Sequence, residues 1–133
     1  MKKILVAYDG GDPARRALDL AIELAQKFGA TVAVVSVTPV HPGRAPIDPW
    51  DDREVHLGEL LEAQTILRAK GIEAEMLAPA GDPAITIERL AADGGFDAVV
   101  IGSRGLGALA RALQGSTSEH VATHSETTVI VAR

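Results

Sequence analysis

Gly102-Ser103-Arg104-Gly105, nine further residues and then Gly115-Ser116-Thr117-Ser118 form the stretch of this sequence best suited to chemistry. Glycines let backbone approach a ligand closely and adopt positive φ. Their N–H groups can then converge on phosphate oxygens. Gly115 and Ser116 stand where a helix is expected to begin, and the free N–H groups of a helix start favour anions. The hydroxyls of Ser116, Thr117 and Ser118 add donors, and Arg104 adds positive charge. Arg111 could add more, but serves equally well as a solvated helix residue. The alternative for the glycines is that they serve turns only. The spacing G-x2-G-x9-G-[ST], directly after a buried apolar run, favours the phosphate loop.

The other candidates are weaker. Asp9, after the first apolar run, reads first as a ligand-positioning carboxylate, with turn structure and catalysis as alternatives. A haloacid-type phosphatase would want a second Asp two residues later, where Gly11 stands. A receiver domain would want its acceptor after the third strand, where Ala80-Gly81 stands. His120 and His124 share a helix face at i, i+4, but a zinc site needs three or four ligands and no third is visible. His41 and His56 have no visible partners. Asp51 and Asp52 fall in the first turn of a helix, where its dipole favours carboxylates. No G-x-x-x-x-G-K-[ST] occurs. Gly105-Leu106-Gly107 opens a G-x-G-x-x-G pattern, but Ala110 takes the place of the last glycine.

Composition narrows the classes. The 133 residues suit one domain, and 47% hydrophobic residues suffice for a core. Aromatics are only 3%, so that core must be built from Ala, Val, Leu and Ile. The absence of cysteine excludes disulfides, thiolate zinc sites and cysteine nucleophiles. A net charge of −5 argues against nonspecific nucleic-acid binding, which needs a basic face. The run from Lys3 to Tyr8 is too short for a signal peptide and ends at Asp9, so a cytoplasmic protein is expected. No apolar run is long enough for a membrane span.

The elements that must position these residues follow from periodicity. Residues 3–8 form strand one. Asp12 is expected to cap the first helix, with Pro13 at its first position. Leu18, Ala21, Ile22 and Ala25 recur at helical spacing, and Gly29 ends that helix as a left-handed residue. Residues 31–37 form strand two, a near-continuous apolar run that suits burial on both faces of a parallel sheet. A proline-rich loop leads to a helix over 51–70, with Val55, Leu60, Ala63 and Leu67 inward and Gly71 as its stop. Residues 73–78 form strand three. Gly81-Asp82-Pro83 opens a third helix over 84–92, and 97–101 form strand four. The glycine-rich stretch, a helix over 116–124 and strand five over 128–132 complete the chain.

This alternation calls for an α/β fold: a single-domain, three-layer sandwich around a five-stranded, mostly parallel, Rossmann-like sheet. Strand order 3-2-1-4-5 satisfies right-handed crossovers. Winding then reverses between strands one and four, and ligands bind beyond the carboxyl ends of strands at such a point. Asp9, Val37 and Gly102 stand there. Strand five is an apolar edge, which invites pairing with another chain.

The motif Gly102-x2-Gly105-x9-Gly115-Ser116 is similar to the ATP-binding motif of the universal stress protein family. The opening Ile4-Leu5-Val6-Ala7-Tyr8-Asp9-Gly10, the turn Gly81-Asp82-Pro83 and the final Val129-Ile130-Val131 extend the resemblance along residues 1–133. It implies a nucleotide-binding domain in which Asp9 contacts the adenosine and the Val37 backbone bonds the adenine edge. Gly102, Gly105, Gly115 and Ser116 would hold ribose and phosphates, supported by Thr117 and Ser118. Mg²⁺ or Mn²⁺ would accompany ATP, held largely by phosphates and water. The resemblance also implies a homodimer through strand five. The chain departs from the family pattern at Gly11, where a small hydroxyl residue is usual, and at Thr128, where proline is common.

The expected function is an ATP-binding sensor or regulator in stress response with little or no turnover, since the motif holds no clear base or nucleophile. An ATP-using enzyme on a related fold is the first alternative. Such enzymes place a Ser- and Gly-rich loop after strand one, where this chain has Asp9-Gly10-Gly11-Asp12. A dimerisation module without nucleotide is the second.

Overall fold

A computed structural model of the chain describes residues 1–38, 53–102 and 127–132. The order of elements is β1 (Lys3–Ala7), α1 (Asp12–Phe28), β2 (Thr31–Val35), α2 (Arg53–Ala69), β3 (Ala74–Leu77), α3 (Pro83–Asp93), β4 (Ala98–Gly102) and β5 (Thr128–Ala132). The proline-rich loop, the glycine-rich stretch over 103–115 and the helix expected over 116–124 lie outside the described residues.

The five strands form one sheet in the order β3-β2-β1-β4-β5. Every pairing is parallel, with Ala7 opposite Val35, Val6 opposite Val100 and Gly102 opposite Ala132. Parallel neighbours need crossovers, and helices supply those that are described. The expected fold class and strand order are therefore observed. β5 is an edge strand, with Val129 exposed.

Alternate residues of each strand face opposite layers. Ile4, Val6, Val32, Val34 and Val100 pack against Ala17, Leu18, Ala21 and Ile22 of α1 and Leu60, Ala63 and Leu67 of α2. Leu5, Ala33, Val35, Val99 and Ile101 pack on the other face with Ile87 and Ala91 of α3. Alanine-rich helix faces allow close approach to the sheet, as the scarcity of aromatics requires. Leu18 has no exposed surface, which contributes about 1.5–3 kcal/mol.

The helix ends show why the turns fall where they do. Asp82 caps α3, its Oδ1 accepting the Ile85 N–H at 3.0 Å, as expected for Gly81-Asp82-Pro83. Gly29 ends α1 at φ 67, also as expected. Asp12 does not cap α1. Gly11 is the N-cap residue and Asp12 already lies in the helix. The extended backbone at Gly11 turns its carbonyl onto the Arg15 N–H at 2.9 Å, one residue earlier than anticipated.

At the amino ends of the strands, Asp97 joins β4 to β1. Its Oδ2 accepts the N–H groups of Lys2 at 2.7 Å and Lys3 at 3.0 Å. Those two donors hold its carboxyl below the usual range. The Lys3 ammonium bonds the Gly94 carbonyl and lies 4.6 Å from the centre of the Phe96 ring.

Candidate functional site

The carboxyl ends of β1, β2 and β4 meet along one edge of the sheet, and the sheet brings Asp9, Val37 and Gly102 there. Arg104, Gly105, Gly115, Ser116, Thr117 and Ser118 lie outside the described residues, as do His41, His120 and His124.

β2 ends two residues earlier than its apolar run, and the reason bears on the site. Ser36 N–H bonds Leu77 C=O at 3.0 Å and Thr38 N–H bonds Pro79 C=O at 2.9 Å, both toward β3. By the alternation of a parallel ladder, the N–H and C=O of Val37 face the β1 side. There the last bond is Tyr8 N–H to Val35 C=O at 3.0 Å, after which the chain turns away through Asp9 and Gly10. Val37 thus offers an adjacent donor and acceptor with no partner among the described residues.

Asp9 is exposed, and its Oδ1 accepts the Gly11 N–H at 3.1 Å. That carboxylate shapes the turn through Oδ1, and Oδ2 has no hydrogen-bond partner among the described residues. Gly10 has φ 81, a left-handed conformation suited to glycine.

Gly102 is the last residue of β4 rather than the first after it, because its pairing with Ala132 continues the ladder. A Cβ here would lie 2.5 Å from both the carbonyl carbon and the carbonyl oxygen of Pro13. The first turn of α1 therefore occupies the space beside it, and close packing explains this glycine without a ligand.

Beneath this edge lies a polar cluster that the sequence reading missed. Ser36 is 3% exposed and His56, on α2, 8%. Ser36 Oγ donates to Glu59 Oε2 at 2.9 Å and lies 2.8 Å from His56 Nδ1, which is itself 3.1 Å from Glu59 Oε2. With the hydroxyl proton directed to the carboxylate, Nδ1–H is the tautomer that satisfies both oxygens. The expectation that His56 has no partner is thus corrected. His56, not the half-buried Val55, begins the inward stripe continued by Leu60, Ala63 and Leu67. The available signal was its position four residues before Leu60, on the same face.

This trio is not a nucleophilic relay. A relay uses opposite imidazole nitrogens for serine and acid, whereas Nδ1 here serves both. Two buried polar atoms, His56 Nε2 and Thr38 Oγ1, have no hydrogen-bond partner among the described residues. Tyr8, beside the trio, has its hydroxyl pushed up to about 12, first by burial, then by a hydrogen bond to the Glu62 carboxylate and its charge. No group of three or more His, Asp or Glu side chains that could hold a metal occurs among the described residues. None of their helices is long and apolar enough to cross a membrane.

A parallel five-stranded sheet whose winding reverses between β1 and β4 defines a doubly wound α/β domain, in which the crevice for a ligand lies beyond the carboxyl ends of the strands at that switch point. Comparison with known proteins places it more closely. The universal stress protein family model matches residues 1–133, and the chain belongs to that family. It is 32% identical to a Thermus aquaticus protein, the universal stress protein in QAH/OAS sulfhydrylase 3'region, over 99% of this chain and 98% of that one. It is 29% identical to the universal stress protein YxiE of Bacillus subtilis, over 98% of each. Among solved structures, a universal stress protein in complex with cAMP superposes with TM-score 0.71 at 25% identity, over 99% of this chain and 97% of that one. An Archaeoglobus fulgidus universal stress protein in complex with dAMP gives TM-score 0.71 at 28% identity, over 100% of this chain and 98% of that one.

Proposed function

We propose that residues 1–133 form a nucleotide-binding domain that takes ATP with Mg²⁺ or Mn²⁺, with little or no turnover, and acts as a regulator in a stress response. The observation that carries this reading is the open main-chain edge of Val37. An adjacent N–H and C=O, left open where β1 turns away, match the donor–acceptor edge of an adenine. The residues nearby fit the rest. Asp9 Oδ2 suits a ribose hydroxyl, and Thr38 Oγ1, next to Val37, is a buried hydroxyl without a partner among the described residues. Arg104, Gly105, Gly115, Ser116, Thr117 and Ser118 are proposed for the phosphates on sequence alone. The cAMP and dAMP complexes of similar proteins support an adenine ligand.

Within this reading the chain's own groups bind and orient; no step of bond breaking is assigned to them. A cytoplasmic homodimer pairing along β5 belongs to the same proposal.

The test is nucleotide analysis of the purified protein followed by thermal melting with added ATP and Mg²⁺. ATP is expected to copurify or to raise the melting temperature, and to stay intact over hours. Gly115→Val should abolish the shift. An equal shift in that variant would contradict the phosphate assignment, and rapid conversion to products would favour an ATP-using enzyme.

A further inference from the structure

We infer that Ser36, His56 and Glu59 are positioning residues that tie together the two backbone segments of the nucleotide site, so that a polar cluster on α2 sets nucleotide affinity. The inference rests on the nucleotide reading above.

One side chain reaches both segments. Glu59 Oε2 accepts the Ser36 hydroxyl at 2.9 Å and faces His56 Nδ1 at 3.1 Å. Ser36 immediately precedes Val37, whose main chain would receive the adenine. The stem of the same Glu59 packs on the other segment: a Cβ on Gly10 would lie 3.3 Å from its Cγ and 3.6 Å from its Oε1. Gly10 follows Asp9 directly. The spacing between Asp9 and Val37 past the end of β1, where no ladder bond holds them among the described residues, therefore depends on where Glu59 sits. His56 fixes that position from the same helix, three residues away. All three groups are largely buried, so the bonds are shielded from competing water.

This role differs from general stability in its reach. Ser36 makes no hydrogen bond to the Asp9–Gly11 turn among the described residues, yet losing its hydroxyl should alter that turn through Glu59.

The experiment uses the full chain, ATP titration calorimetry and amide hydrogen exchange by NMR. Ser36→Ala is expected to weaken ATP binding about fivefold, the size of one lost buried hydrogen bond. In the unliganded protein it should also speed exchange at the Gly10 and Gly11 amides. Glu59→Leu keeps bulk against Gly10 but loses the acceptor, and should weaken binding about tenfold or more. Glu59→Gln keeps an acceptor oxygen and should restore affinity to within about twofold. Asp97→Ala, at the opposite end of the sheet, should lower the melting temperature and leave affinity unchanged.

Wild-type affinity in a folded Ser36→Ala protein, with unchanged exchange at Gly10 and Gly11, overturns the inference. So does an equal loss in Asp97→Ala, because general destabilisation would then suffice. If Glu59→Leu does not fold, the Ser36→Ala and Glu59→Gln results decide. A wild-type chain that binds no ATP overturns the nucleotide reading instead, and the amide exchange still decides whether the cluster couples the two segments.

Discussion

A Cβ at residue 102 would sit 2.5 Å from backbone atoms of Pro13, far inside contact distance. Backbone gives way less readily than a flexible side chain, so Gly102→Ala is expected to cost about 1–3 kcal/mol. Chemical denaturation without nucleotide measures it; an unchanged midpoint would mean that α1 shifts freely. Tyr8 gives a prediction with a defined pH window. Burial and the Glu62 carboxylate raise its folded-state value to about 12 from an ordinary 10.0. The unfolded chain then loses the phenolic proton first, so the stability tied to the neutral hydroxyl is intact below pH 10.0 and declines as pH rises toward about 12. Tyr8→Phe should flatten the alkaline fall in unfolding free energy, whereas parallel curves for the two proteins would remove Tyr8 from the account.

Among the elements, α3 starts on a side-chain cap and α1 does not. Removing the Asp82 carboxylate as Asp82→Ala is expected to cost about 1 kcal/mol, and Asp12→Ala less, because Asp12 caps nothing and acts only through the helix dipole. Equal losses on thermal melting would contradict this difference. The elements themselves were largely legible in the sequence. β1, β2 and β4 are apolar runs because both faces are covered, and α1 alternates charge with Leu18, Ala21 and Ile22. Boundaries were less legible. Ser36 and Val37 look like strand residues, but only the three-dimensional path of Asp9 and Gly10 leaves Val37 without a partner on the β1 side among the described residues. The cap of α1 was misread for a similar reason, since Gly11 and Asp12 are both plausible until the backbone angles are known. Asp9 stood out from its place after one apolar run and Val37 from its place at the end of another. Ser36, His56 and Glu59 did not, because Ser36 and His56 are 20 residues apart and meet only when α2 lies on the sheet.

For the molecule as a whole, the exposed flank of β5 carries the proposed dimer. Val129 is 48% exposed, and a charge there would have to enter any strand-to-strand contact. Val129→Lys is expected to shift the sedimentation of a dimer to that of a monomer and to leave ATP affinity near the wild-type value. A dimer that persists would move the contact to another surface. The pairing of β1 with β4 has a further outcome, in time rather than space. Asp97 closes onto Lys2 and Lys3 across 95 and 94 positions of chain. A ribosome therefore delivers β1, α1, β2, α2, β3 and α3 before β1 can gain its second neighbour. Until then one flank of that strand stays open to any extended peptide nearby. The switch point beyond β1 and β4 is thus among the last features a nascent chain completes, and synthesis that stalls before β4 leaves an unpaired strand flank of the kind that makes intermediates aggregation-prone.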